Sequence, residues 1–218
     1  MDILEWNMAS FLIVTGVYTI LDCCTILYNR PQKNNRSQLH EIYQLTETLI
    51  PNLIIQCINV PVIYLCDNYY NYTDKVHFYS YFNYIPWILC SEMYFYYVHR
   101  LFHTPYLYKN IHYFHHKHDK PYALCAYVVH PLEHLLVNLP TLLIGPMIFH
   151  VGVSKQMMKI WVVVANISII SSHCGYFAWW GNVNNYHDIH HRLLKYNYGN
   201  SLYLFDKFHK TIKYVNWI

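Results

Sequence analysis

Charge is what this chain lacks. Only 12% of its 218 residues are Asp, Glu, Lys or Arg, while 55% are hydrophobic. A soluble domain carries about 25% charged residues. Too few are present here to cover a water-facing surface, and composition selects a polytopic membrane protein. The net charge of +3 is small and the basic residues are scattered, which excludes a nucleic-acid binder, as does the absence of RNP, zinc-finger and helix-turn-helix patterns. No CxxC pair occurs among the seven cysteines, Cys23, Cys24, Cys57, Cys66, Cys90, Cys125 and Cys174. An odd count in mostly apolar runs argues against a disulfide framework or a thiolate metal site and reads them as buried small hydrophobes. Also missing are a GxSxG elbow and a phosphate-cradling loop, so nothing points to hydrolysis or nucleotide binding. The opening MDILEWNMAS holds Asp2 and Glu5 but no basic n-region; the first apolar run is expected to stay as an anchor.

What is present begins with apolar stretches near the ~20 residues needed to span a bilayer. They fall at 8–28, 48–66, 78–98, 135–150 and 157–172. The last two are short and close together, so they are expected to form one re-entrant or spanning hairpin. Pro51, Pro61, Pro86, Pro140 and Pro146 are expected to kink their segments. Arg30, Lys33 and Arg36 in the loop 29–47 place it on the cytoplasmic side. The loop 67–77, with a sequon at Asn71-Tyr72-Thr73, then lies in the lumen. A second sequon, Asn35-Arg36-Ser37, falls on the cytoplasmic side, so sequons alone decide nothing. The expected fold is all-α, a membrane helical bundle of about four spanning or re-entrant helices with a cytosolic His-rich helical cap. Residues 1–84 supply membrane helices and 85–218 the catalytic region of one integrated domain.

Sixteen histidines stand out, six of them in "HRLFHTPYLYKNIHYFHHKHD". His99 and His103 are four apart; His112, His115 and His116 form HxxHH, repeated by His187, His190 and His191. Positions i, i+3 and i+4 share a helix face, so each cluster is expected to aim two or three imidazoles at one point. Random placement yields two HxxHH copies on the order of a few times per thousand. Neutral imidazole ligates Fe, Zn, Cu or Ni. Eight converging imidazoles exceed the four that close a structural zinc site and suggest two ions with open positions. Redox-active iron there would activate O2, which redox-inert zinc would not. A site against the bilayer points to a lipid substrate. Isolated His40, His77, His150 and His209 read as core or interfacial residues, and His118 and His134 fit no repeat.

"EMYFYYVHRLFH" (92–103), "YKNIHYFHHKHDKP" (108–121), "HPLEHLL" (130–136), "HCGYFAWW" (173–180) and "HDIHHRLLKYNYGNSLYLFDKFHKT" (187–211) together resemble the fatty acid hydroxylase/sterol desaturase superfamily of membrane di-iron enzymes, nearest its C4-methylsterol oxidase branch. The resemblance implies an endoplasmic-reticulum enzyme holding two Fe ions and using O2. Electrons would come from NAD(P)H through cytochrome b5 and its reductase. It implies a lipid substrate, a sterol methyl oxidised stepwise through alcohol and aldehyde to acid, with fatty-acyl hydroxylation, desaturation or a silent metal- or sterol-binding homologue as alternatives. Zinc found after purification would not exclude iron, since zinc outcompetes ferrous iron at nitrogen ligands. The implied ligands are His99, His103, His112, His115, His116, His173, His187, His190 and His191, with His130 as a tenth or as a group behind them. No catalytic residue beyond the ligands is implied. Glu92 is expected to hydrogen-bond a ligand imidazole, or else to pair with Arg100 at the helix end. Asn197, Tyr198 and Gly199 match the family's "NYG", Gly199 being expected to supply a positive φ. The chain departs from the family at Phe205, Lys210, Cys174 and Ala178, where Trp, Gly, Ser and Pro are usual, and at Phe177, a His in fatty-acid hydroxylases.

Overall fold

The computed structural model describes residues 3–27, 47–73, 77–118, 123–174, 183–200 and 202–214. His40, Arg30, Lys33, the Asn35 sequon, Phe177 and Ala178 lie outside them, and the side chains of Cys23, Cys24 and Cys174 are likewise not described. The described residues form helices and turns, with no strand among them.

Three long helices come first: α1 (Ile3–Leu27), α2 (Leu49–Tyr69) and α3 (Tyr84–Phe102). A 3-10 turn, Phe78–Asn83, leads into α3. Short helical pieces follow: α4 (Pro105–Leu107), a π-turn (Tyr108–His112), α5 (Tyr113–His116), and a buried 3-10 turn (Ala123–Tyr127). Next, α6 (Pro131–Glu133), a second π-turn (His134–Asn138) and α7 (Leu139–Ile148) run on continuously. Last come α8 (Lys155–Cys174), α9 (Val183–Leu193) and α10 (Leu204–His209).

Two helices among the described residues, Ile50–Tyr69 and Pro131–Ile148, are long and apolar enough to cross a membrane. The sequence pattern pointed to about four. The difference is chemical: α3 is interrupted by Ser91, Glu92, His99 and Arg100, and α8 by Asn166, Ser168, Ser171 and Ser172. Outward faces are apolar nonetheless, with Leu12, Ile13, Ile50, Leu53 and Leu65 exposed. Cys57 lies on such a face and is exposed, against the expectation that the cysteines are buried; Cys66 and Cys90 are half-buried, and Cys125 is buried.

Two core clusters hold the bundle. Phe11, Ile55, Ala126, Tyr127 and Ile170 join α1, α2 and α8 around the 123–127 turn. Ile63, Trp87, Met157 and Trp161 join α2, α3 and α8. The prolines are accommodated rather than merely tolerated. A helical proline leaves the carbonyl four residues back without its N–H. Leu136 O, orphaned by Pro140, accepts from the Tyr94 hydroxyl at 2.8 Å, and Leu142 O, orphaned by Pro146, accepts from Trp161 Nε1 at 2.8 Å. Pro51 and Pro86 fall in the first turns of α2 and α3, where a missing N–H costs nothing; no kink is needed there.

The contact of α3 with α7 fixes the ligand-bearing end of α3. Ser91 Oγ donates to Thr141 O at 2.6 Å, and Trp87 Nε1 donates to Phe149 O at 3.0 Å. A Cβ on Gly145 would meet Trp87 Cα at 2.5 Å, so only glycine permits this approach. Gly145→Ala is expected to cost about 1–3 kcal/mol by overpacking. Thermal unfolding in detergent would show it; an unchanged midpoint would contradict the close approach.

Candidate metal centre

Each helix end delivers its histidines for a local reason. His99 occupies the last turn of α3 and His103 its C-cap. Thr104 before Pro105 is extended, as the residue preceding a proline prefers, so the chain turns back at once. The π-turn at Tyr108–His112 then sets His112 one turn ahead of His115 and His116. His173 ends α8, and α9 carries His187, His190 and His191.

These nine imidazoles assemble into two groups. The first is His99, His103, His112, His116 and His190; the second is His115, His173, His187 and His191; within each, the ligand atoms lie within 4.8 Å of one another. His103 is half-buried and the other eight are buried. Neither HxxHH serves a single point, as the sequence led us to expect. His115 and His116 go to different groups, and His190 parts from His187 and His191. Adjacent helical residues point about 100° apart, so one helix can feed two sites.

In the first group His112 is the hub. Its Nε2 lies 3.2, 3.0 and 3.0 Å from the Nε2 atoms of His99, His103 and His116, and His103 Nε2 lies 3.0 Å from His190 Nε2. In the second, His173 Nε2 lies 3.3 Å from His115 Nε2 and 3.0 Å from His187 Nε2, which is 3.2 Å from His191 Nε2.

The opposite ring nitrogens fix the tautomers. His99 Nδ1 donates to Tyr198 O (2.8 Å), His190 Nδ1 to Tyr196 O (2.7 Å), His115 Nδ1 to Val128 O (3.3 Å) and His173 Nδ1 to Ile169 O (3.0 Å). A carbonyl only accepts, so the proton sits on Nδ1 and the Nε2 lone pairs face inward. Lone pairs at 3.0–3.3 Å repel unless a cation lies between them. A metal–imidazole bond of about 2.0–2.1 Å sets neighbouring ligand nitrogens about 3.0–3.4 Å apart. The donor sets therefore fit two metal ions. Burial first, and then the like charge of neighbouring imidazoles, holds His112, His115, His116, His187, His190 and His191 well below the ordinary imidazole value. They are neutral ligands at pH 7.

A hydrogen-bonded frame stands behind the first group. Asn197, fully buried with φ 60°, donates through Nδ2 to Tyr186 O and Lys213 O and accepts from Lys213 N. Its neighbours thereby present the carbonyls that hold His190 and His99. Gly199, expected to carry the positive φ, does not; Asn197 does. A glycine is needed at 199 because a Cβ would meet Asp206 Oδ2 at 2.7 Å. Asp206, which the sequence reading passed over, accepts from Tyr198 N, Gly199 N and Thr211 Oγ1. Glu92 Oε1 accepts from Leu202 N at 3.0 Å in the same frame, and Arg100 Nη1 donates to the Tyr96 hydroxyl. Lys210 adopts φ 56° where the family often has Gly, and Phe205 packs its ring against Tyr96 and Tyr97.

His130 stands outside both groups. It is the N-cap of α6, its Nδ1 accepting from Leu132 N at 3.1 Å. His134 bonds Asn59, His150 bonds Met147 O, His209 bonds the Tyr97 hydroxyl, and His77 stacks on Tyr79. A cavity of ≈ 40 Å³ touches both groups through His99, His112, His115, His173 and His187. Phe95, Ala126, Val129 and Ile169 supply its apolar wall, and Glu133 also reaches it. At the other end of α8, roughly 27 Å away, an open polar groove is lined by Asp67, Asn71 and Lys155.

Among known proteins, the fatty acid hydroxylase family matches residues 84–211. Methylsterol monooxygenase 2-2 of Arabidopsis thaliana is 31% identical over 140 residues, 61% of this chain and 49% of its own length. Fatty acid hydroxylase domain-containing protein 2 of Homo sapiens is 37% identical over 109 residues, 50% of this chain and 32% of its own. Very-long-chain aldehyde decarbonylase GL1-11 of Oryza sativa subsp. indica is 29% identical over 140 residues, 61% and 49%. The chain spans about half or less of the length of these relatives. No solved structure matches it.

Proposed function

The chain belongs to the fatty acid hydroxylase family, and on that footing we propose that it is a membrane di-iron oxygenase that oxidises an unactivated C–H bond of a lipid. A sterol methyl is the leading substrate, in line with the methylsterol monooxygenase among its relatives. The observation that carries this reading is the pair of buried imidazole groups whose lone pairs converge beside one small, largely apolar cavity.

When bound, two ferrous ions would supply reductive activation of O2. The protein's own residues do the rest. His99, His103, His112, His116 and His190 would hold one ion, and His115, His173, His187 and His191 the other. Tyr196 O, Tyr198 O, Val128 O and Ile169 O keep protons on Nδ1 and the rings aimed. Phe95, Val129 and Ile169 exclude bulk water, and a cavity of ≈ 40 Å³ admits only the reacting end of a lipid. The remaining substrate stays among the apolar faces of the bundle. α1, α2, α3 and the α7–α8 pair serve as the membrane elements, with the imidazole end cytosolic and the Asn71 end luminal, in the endoplasmic reticulum. Electrons from NAD(P)H arrive through cytochrome b5 and its reductase.

The test is O2 consumption by the iron-loaded full chain in nanodiscs with NADPH, reductase and cytochrome b5. Substrate-dependent uptake and a hydroxylated lipid are expected with 4-methylsterols. Turnover only with acyl lipids would move the substrate class. None with either, at full iron loading, would overturn the oxygenase reading.

A further inference from the structure

Four of the ligand imidazoles lean on backbone carbonyls, but His112 leans on a carboxylate. Its Nδ1 lies 2.7 Å from Glu133 Oε1, with both side chains buried. The local sequence explains how Glu133 arrives there. His130 caps α6, Pro131 fixes its first turn, and Glu133 falls in that turn facing the π-turn that ends at His112. Glu133 Oε2 is buried with no hydrogen-bond partner among the described residues, and the side chain lines the cavity shared by the two groups. A buried carboxylate oxygen left unsatisfied opposes folding. Stability alone would favour a neutral residue at this position.

We infer that Glu133 is a positioning residue that makes the two metal sites inequivalent, tuning the five-imidazole site through His112. A carboxylate behind an imidazole fixes the tautomer and ring orientation and raises ligand basicity. His112 is the ring that three others approach at 3.0–3.2 Å, so its basicity acts on the whole first group. The second group has carbonyl anchors at His115 and His173. The first site accordingly binds its dication more tightly, and the two ions leave in separate steps. This rests on the two-metal reading proposed above.

The experiment uses the full chain in detergent, loaded with Co(II) and titrated with a chelator while the visible absorption bands are followed. Two release steps are expected, of which His190→Ala removes the tighter and His187→Ala the weaker. Glu133→Ala should weaken the tighter step 10- to 100-fold and leave the other unchanged. Glu133→Gln retains an acceptor for Nδ1 but not the charge; it should weaken that step less, shift its absorption bands, and raise the melting temperature of the metal-free protein. A merely structural carboxylate would give no band shift, and both steps would change together or not at all. Either result overturns the role of Glu133 while leaving two-metal binding intact. A wild-type chain that binds fewer than two Co(II) overturns both inferences.

Discussion

Alanine at His190 is expected to empty the five-imidazole site and abolish turnover, and alanine at His187 to do the same through the other site. Each variant should retain about one ion where the wild type holds two. A four-ligand structural zinc site is worth about 10–16 kcal/mol. One imidazole then accounts for about 3 kcal/mol, on the order of 100-fold in affinity. Activity should fall much further, because the chemistry proposed above uses both ions. His190 and His187 sit on one short helix three residues apart, yet their Nε2 atoms face different partners, His103 and His173 respectively. A shared effect on helix stability would lower both sites in both variants; a divided effect is the signature of two centres. His77→Ala is the control, since His77 is exposed and stacks flat on Tyr79. Metal content by elemental analysis decides the matter. Equal losses in all three variants would count against the assignment.

Acid should release the metals and destabilise the fold together. His112, His115, His116, His187, His190 and His191 are held neutral, well below the ordinary value, by burial and by one another. In the unfolded chain the same groups take up protons near 6.5. Above about pH 6.5 both states are neutral, so stability is flat with respect to these groups. Below it the unfolded state binds more protons, and each such His costs the native state about 1.4 kcal/mol per pH unit. Two of them between pH 6.5 and 5 remove about 4 kcal/mol, a large share of the 5–15 kcal/mol of a typical domain. Protons also compete directly with metal for the Nε2 lone pairs. Metal retained after gel filtration, and the melting temperature, should both fall steadily from pH 6.5 to 5. Full retention at pH 4.5 would contradict the buried neutral cluster.

The twin HxxHH motifs were readable because i, i+3 and i+4 recur on one helix face, and all nine imidazoles named from sequence fall in the two groups. The division into five and four was not readable. It depends on where α3, α5, α8 and α9 stand around the centre, and His115 and His116 look alike in a one-dimensional string. Nor could the sequence single out the carbonyls of Val128, Ile169, Tyr196 and Tyr198, since every residue has one. Glu133 and Asp206 carried a signal, in "HPLEH" and "FDKFHKT"; an acidic residue in a charge-poor chain, next to a histidine motif, needs a buried partner. Gly199 was misjudged because a glycine answers equally to a left-handed turn and to a close neighbour, here Asp206. Membrane helices were over-counted for a related reason. Tyr-rich and Ser-rich runs keep a hydrophobic average locally, while the polar residues that break them face the protein interior, as Ser91, Glu92 and Ser172 do.

Both π-turns, Tyr108–His112 and His134–Asn138, adjoin the metal centre. Such a turn holds one residue more than an α-turn. Losing a codon within 108–111 would therefore mend the helix instead of breaking it, while swinging His112 by about 100° away from its partners. A lineage could in this way retire the chemistry in a single heritable step and still inherit an intact scaffold.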